Sequence, residues 1–111
     1  MTIDTLDALE ARDPAERERD LMARLPQLVA LAKRAPGWQR ILEGVDPATI
    51  DSRAALATLP ITRKSDLKTL QKDPMPFGGL NTTPLSAMSR VFVSPGPIFD
   101  PEGRGQDYWR F

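Results

Sequence analysis

Ser94, Gly96 and Arg104 have the residue types and spacing to handle an anion. They place a hydroxyl, a glycine and a guanidinium in the run Ser94-Pro95-Gly96-Pro97-Ile98-Phe99-Asp100-Pro101-Glu102-Gly103-Arg104-Gly105. Small residues let backbone N–H groups approach a phosphate, and a Ser hydroxyl adds a further donor. Read plainly, the same run is a surface loop following a strand. Pro95, Pro97 and Pro101 each delete an N–H, and neither Thr nor Lys lies between Val91 and Gly105, so no Walker-type loop can be written. Arg63, Lys64, Lys68 and Lys72 could also hold a phosphate, although with Asp66 in their midst a solvated helix face is the plainer reading. The chain contains neither His nor Cys, which removes a Ser-His-Asp triad, a thiolate nucleophile and nearly every zinc site. No catalytic residue and no metal ligand is assigned.

The elements that must position these groups follow from caps, breakers and periodicity. Arg90-Val91-Phe92-Val93 predicts a strand over residues 90–93 that delivers the loop at 94–105. Asp13-Pro14-Ala15-Glu16 predicts a helix start, and Leu21, Leu25, Leu28 and Ala32 form one stripe that stays in phase across Pro26, so a single helix is expected. Ala35-Pro36-Gly37 should end it. Residues 38–42 then form a second helix that brings Trp38 in as the anchor of the small core, with Gly44 closing it. Residues 46–49 predict a turn, Ser52 caps a short helix, and Leu59 is held extended by Pro60. Thr62 should start a helix over 63–72 with Leu67 and Leu70 inward. Ile3, Leu6 and Leu9 suggest a short amphipathic turn or helix near the start, residues 73–79 read as a linker, and residues 85–88 as a turn. Asp107 reads as the N-cap of a helix carrying Tyr108, Trp109 and Phe111.

The fold class this predicts is mainly α. A helical subdomain over residues 1–73 precedes a linker, one short strand and a Gly/Pro-rich loop over residues 74–111. Eleven prolines in 111 residues keep the elements short. Fifteen basic against fifteen acidic side chains leave a formal charge of zero, and so no general electrostatic case for nucleic acid or an anionic membrane. With no signal-like start and no apolar run of spanning length, a cytoplasmic location is expected. A strand without a partner would invite pairing with a second copy, so a homo-oligomer is possible. An element that stops just after it begins suggests a fragment of a longer chain. One reading is a stand-alone helical interaction module whose Tyr108, Trp109 and Phe111 bind a protein partner.

Several stretches, quoted in order, carry a second reading. They are the Glu/Arg-rich helix over 16–35, Gly-Val-Asp-Pro at 44–47, Leu-Pro-Ile-Thr-Arg-Lys-Ser-Asp-Leu at 59–67 and Pro-Phe-Gly at 76–78, followed by the strand and its Ser/Gly loop. In this order the chain resembles the N-terminal region of phenylacetate-CoA ligase-like proteins, a branch of the adenylate-forming (AMP-dependent synthetase and ligase) superfamily. The resemblance implies an α/β parent that uses ATP, Mg and CoA to adenylate a carboxylic acid and then form a thioester. It implies that the remainder of the ligase domain is the partner of this chain, which alone is not catalytic. Ser94 and Gly96 match the family's phosphate loop. Pro95, Pro97, Ile98 and Phe99 stand where that loop has its second Ser, both Thr and last Gly, so weak ATP binding at best is expected of it.

Overall fold

The computed structural model describes residues 4–106, 108 and 109. Among them are four α-helices, α1 (Pro14–Ala32), α2 (Pro36–Ile41), α3 (Arg53–Leu56) and α4 (Lys64–Leu70). Two 3₁₀ turns lie at Pro47–Thr49 and Leu85–Ala87, and two strands, β1 (Met88–Ser94) and β2 (Ile98–Gly103), complete the order.

Local acceptors start these helices. Asp13 Oδ1 accepts from the N–H groups of Ala15 at 2.9 Å and Glu16 at 3.1 Å, while Pro14 at the first helical position has no N–H to satisfy. α1 continues through Pro26 as one element. Asp46 accepts from Ala48 N–H at 3.0 Å and Ser52 Oγ from Ala55 N–H at 3.1 Å, so both short turns form where their caps predict. α4 begins one residue later than expected: Arg63 is its N-cap, and Asp66 Oδ2 accepts the Arg63 N–H at 3.3 Å. Residues 4–12 make bends and turns rather than a helix. Side chains intercept the backbone there, with Glu10 accepting from Leu6 N–H at 2.7 Å and Asp7 from Leu9 N–H at 2.9 Å. Ile3 and Asp107, with the helix expected after it, lie outside the described residues.

Val29, Leu42 and Ile50 form the buried centre of the helical body, with Leu25, Ala32, Trp38, Ile41, Val45, Ala55 and Leu59 packed around them. Trp38 is half-buried at the margin instead of anchoring the centre. Ion pairs brace the outside of α1: Arg12 meets Asp20 at 2.8 Å, Arg24 meets Asp20 at 2.9 Å, and Arg53 on α3 meets Glu18 with Nη2 to Oε2 at 2.7 Å.

Gly37 lies inside α2 and does not terminate α1. Its N–H donates to the Gly79 carbonyl at 2.8 Å, and a Cβ added there would come within 2.6 Å of the Gly78 carbonyl oxygen. Gly78 has φ +64°, and a Cβ on it would meet the Leu70 carbonyl oxygen at 2.0 Å. Residues 77–79 are therefore packed into the joint between α2 and α4, with Phe77 buried, while residues 73–75 stay exposed.

The single strand followed by a loop is corrected to an antiparallel hairpin. β1 pairs with β2 in the register Arg90↔Glu102, Val91↔Pro101, Phe92↔Asp100, Val93↔Phe99 and Ser94↔Ile98, with a bulge between Met88 and Arg90. The strand lacking a partner has one ten residues on. Pro95, Gly96 and Pro97 make the turn, and Ile98 and Phe99 favour the extended backbone that follows. Pro101 is tolerated because alternate residues of an antiparallel strand face away from the partner: Phe99 presents its N–H and carbonyl outward, and Pro101, two residues later, faces the same way. The whole is elongated, with a radius of gyration of 16.4 Å, against roughly 13 Å for a compact chain of this length.

Candidate functional site

Hairpin geometry separates the three candidate residues. Ser94 ends β1, Gly96 sits in the turn, and Arg104 follows β2 on an exposed segment. With the six residues of β2 between them, Arg104 is roughly 20 Å from the turn at about 3.4 Å per residue. The hydroxyl and glycine stay together, and the guanidinium does not join them.

Cations reach the turn from elsewhere. A cleft of about 140 Å³ is lined by Lys68, Gln71, Lys72, Met75, Pro97 and Phe99. The far half of the basic helix face thus borders the turn, an arrangement that neither segment announces by itself. Pro95 and Pro97 carry no N–H, and Ser94 Oγ lies 3.4 Å from the Ile98 carbonyl, a long contact. The turn's own backbone donor is Gly96. Such a set does not make a multi-donor cradle for a triphosphate, and neither Ser94 nor Gly96 lines the cleft that the two lysines border.

The joint between cleft and hairpin is a side-chain amide. Gln71, the C-cap of α4, is 7% exposed; its Nε2 donates to the Phe99 carbonyl at 2.9 Å and its Oε1 accepts the Phe99 N–H at 2.9 Å. Sequence reading passed over Gln71, because nothing local marks it.

One face of the hairpin carries a second cluster. Alternation puts Arg90 and Phe92 of β1 on the same face as Asp100 and Glu102 of β2. Glu102, 5% exposed, accepts from Trp109 Nε1 at 2.6 Å and from Arg90 Nε at 2.9 Å. The indole hydrogen bond, and then the Arg90 guanidinium, hold the Glu102 carboxyl below its ordinary pKa against the opposing effect of burial. Arg90 stacks over Phe92 at 5.3 Å, and Trp109 meets Phe92 edge-on at 6.3 Å and Tyr108 at 5.0 Å. These groups wall an open cleft of about 410 Å³. The signal available in sequence was the alternation of Arg90 and Phe92 against Val91 and Val93. Among the described residues no group of three or more Asp or Glu could hold a metal ion, and no helix is long and apolar enough to cross a membrane.

No family model matches the chain. Phenylacetate-coenzyme A ligase of Thermus thermophilus is 37% identical to it over 92 residues, covering 79% of this chain and 20% of that ligase. A crystal structure of 2-hydroxyisobutyryl-CoA ligase in the postadenylation state with 2-HIB-AMP matches with a TM-score of 0.76 and 27% identity, over 93% of this chain and 24% of that one. The same ligase with 2-HIB-AMP and CoA in the thioesterification state matches with a TM-score of 0.72 and 29% identity, over 83% of this chain and 21% of that one. The chain spans about a fifth of the curated relative and about a quarter or less of the solved ligases. Sequence and fold agree over most of its length, and the chain belongs to the phenylacetate-CoA ligase-like family of adenylate-forming ligases.

Proposed function

We propose that this chain forms the N-terminal part of an acyl- or aryl-CoA ligase of α/β class, in which the helical body from α1 to α4 carries the hairpin toward the nucleotide site. The observation that supports it most is 37% identity to a phenylacetate-CoA ligase over 92 residues, together with a matching fold. In the reaction, a substrate carboxylate oxygen attacks the α-phosphorus of ATP, giving an acyl adenylate and pyrophosphate with magnesium as counter-ion. The CoA thiolate then attacks the acyl carbon, and AMP leaves as the thioester forms. We assign this chain no nucleophile, general base or metal ligand in either step. Its part is binding: Ser94 and Gly96 of the turn, with Lys68 and Lys72 across the neighbouring cleft lined by Pro97 and Phe99, would contact the nucleotide's phosphates, and Arg104 takes no share.

The test is carboxylate-dependent exchange of labelled pyrophosphate into ATP by the native full-length protein, across aliphatic, 2-hydroxy and aromatic acids. Exchange with at least one class is expected. None with any class would overturn the reading and favour an interaction module.

A further inference from the structure

The Gln71 side chain pairs with Phe99 as a neighbouring strand would. A peptide group on an adjacent strand offers one N–H and one carbonyl to its partner, and here one primary amide supplies both, at 2.9 Å each. Its orientation is fixed by chemistry, since Phe99 presents one donor and one acceptor and the opposite amide flip would set donor against donor. Both ends of Gln71 are held. Its backbone N–H donates to the Leu67 carbonyl at 2.9 Å at the end of α4, and its side chain is buried against the outer edge of β2. Phe99 is two residues from Pro97 and pairs with Val93, the neighbour of Ser94. Fixing Phe99 therefore fixes the turn against the end of α4, with Lys68 on the helix and Lys72 just past its C-cap.

We propose that Gln71 is a positioning residue for nucleotide binding: by completing the edge of β2 it holds the Ser94–Pro97 turn at a set distance from Lys68 and Lys72. The proposal rests on the ligase reading. A two-stranded ribbon is marginal without a third neighbour, and although Met88 and Ile98 are buried, Val91, Phe92 and Val93 are exposed and add little apolar packing. Without the amide pair, the turn samples positions in which its distance from Lys68 and Lys72 is no longer set.

Gln71→Met keeps the length and volume of the stem and removes both hydrogen bonds; Gln71→Glu keeps the acceptor and removes the donor. Both are assayed in the native full-length protein by pyrophosphate exchange and by amide hydrogen exchange at Phe99. The expected result is KM for ATP raised about tenfold with kcat within about twofold of wild type, together with Phe99 exchange faster by about tenfold or more in Gln71→Met, whereas Gln71→Glu still accepts the Phe99 N–H and keeps that amide protected. A merely structural loss would lower the active fraction, so kcat would fall at constant KM. That outcome overturns the proposal, as does unchanged KM with either variant or unchanged protection at Phe99 in Gln71→Met. Wild-type protein that exchanges no pyrophosphate overturns the ligase reading and this role with it, whereas active wild type with insensitive variants overturns this role alone.

Discussion

The helical body and the hairpin are held by different means. In the body, Asp13, Asp46 and Ser52 cap their own elements within three residues, and Val29, Leu42 and Ile50 meet in one buried cluster. In the hairpin Met88 and Ile98 are buried, but Val91, Phe92 and Val93 of β1 are all exposed, and much of the order comes from polar contacts at its edge and on one face: Gln71 to Phe99, and Glu102 to Arg90 and Trp109. A segment with an apolar centre tolerates loss of a hydrogen bond better than one whose position rests on a few of them, because an orphaned buried polar group costs its full desolvation. The difference identifies the body as scaffold and the hairpin as the part whose placement is adjustable.

Breaking the body should have the largest effect. Leu42→Ala removes one of the three central side chains and should cost about 2 to 5 kcal/mol in chemical denaturation. A loss under about 1 kcal/mol would mean that the body has no core of its own. Next comes the joint. At Gly78, with φ +64° and the Leu70 carbonyl in the path of any Cβ, Ala should cost about 2 to 4 kcal/mol and raise protease sensitivity in residues 73–79. Stability equal to wild type would show that α4 and the linker separate easily and that Gln71 alone joins the hairpin to the body.

The smallest effect belongs to Glu102 and is local. Its carboxylate form is the one that Trp109 and Arg90 hold, so its pKa is lower in the folded chain than in the unfolded one, whose ordinary value is 4.5. The contribution is intact above that value and is lost as pH falls through the folded pKa. Glu18 and Asp20 shift in the same direction, each through its Arg partners, so a global acid midpoint would mix all three. Trp109 fluorescence isolates the hairpin: in Trp38→Phe protein its emission should change as pH falls below about 4.5, and Glu102→Gln should abolish the change. An acid transition that persists in that variant would place the titrating group elsewhere.

Sequence by itself determined the features encoded within three or four residues. A cap and the N–H groups it serves are close neighbours in the chain, which is why the starts of α1, α3 and the Pro47–Thr49 turn were legible; the in-phase stripe across Pro26 gave a single α1, and motif order gave the family. Tertiary structure decided the rest. Residues 98–103 contain Pro and Gly and read as loop, yet they are a strand because β1 and Gln71 satisfy their backbone. Arg104 looked near Ser94 in sequence and is carried off by the length of β2, while Lys68 and Lys72, more than twenty positions away, border the turn. Side-chain convergence joins groups 28 positions apart at the hairpin and 35 apart in the body, and no local propensity specifies which distant edge a strand will find.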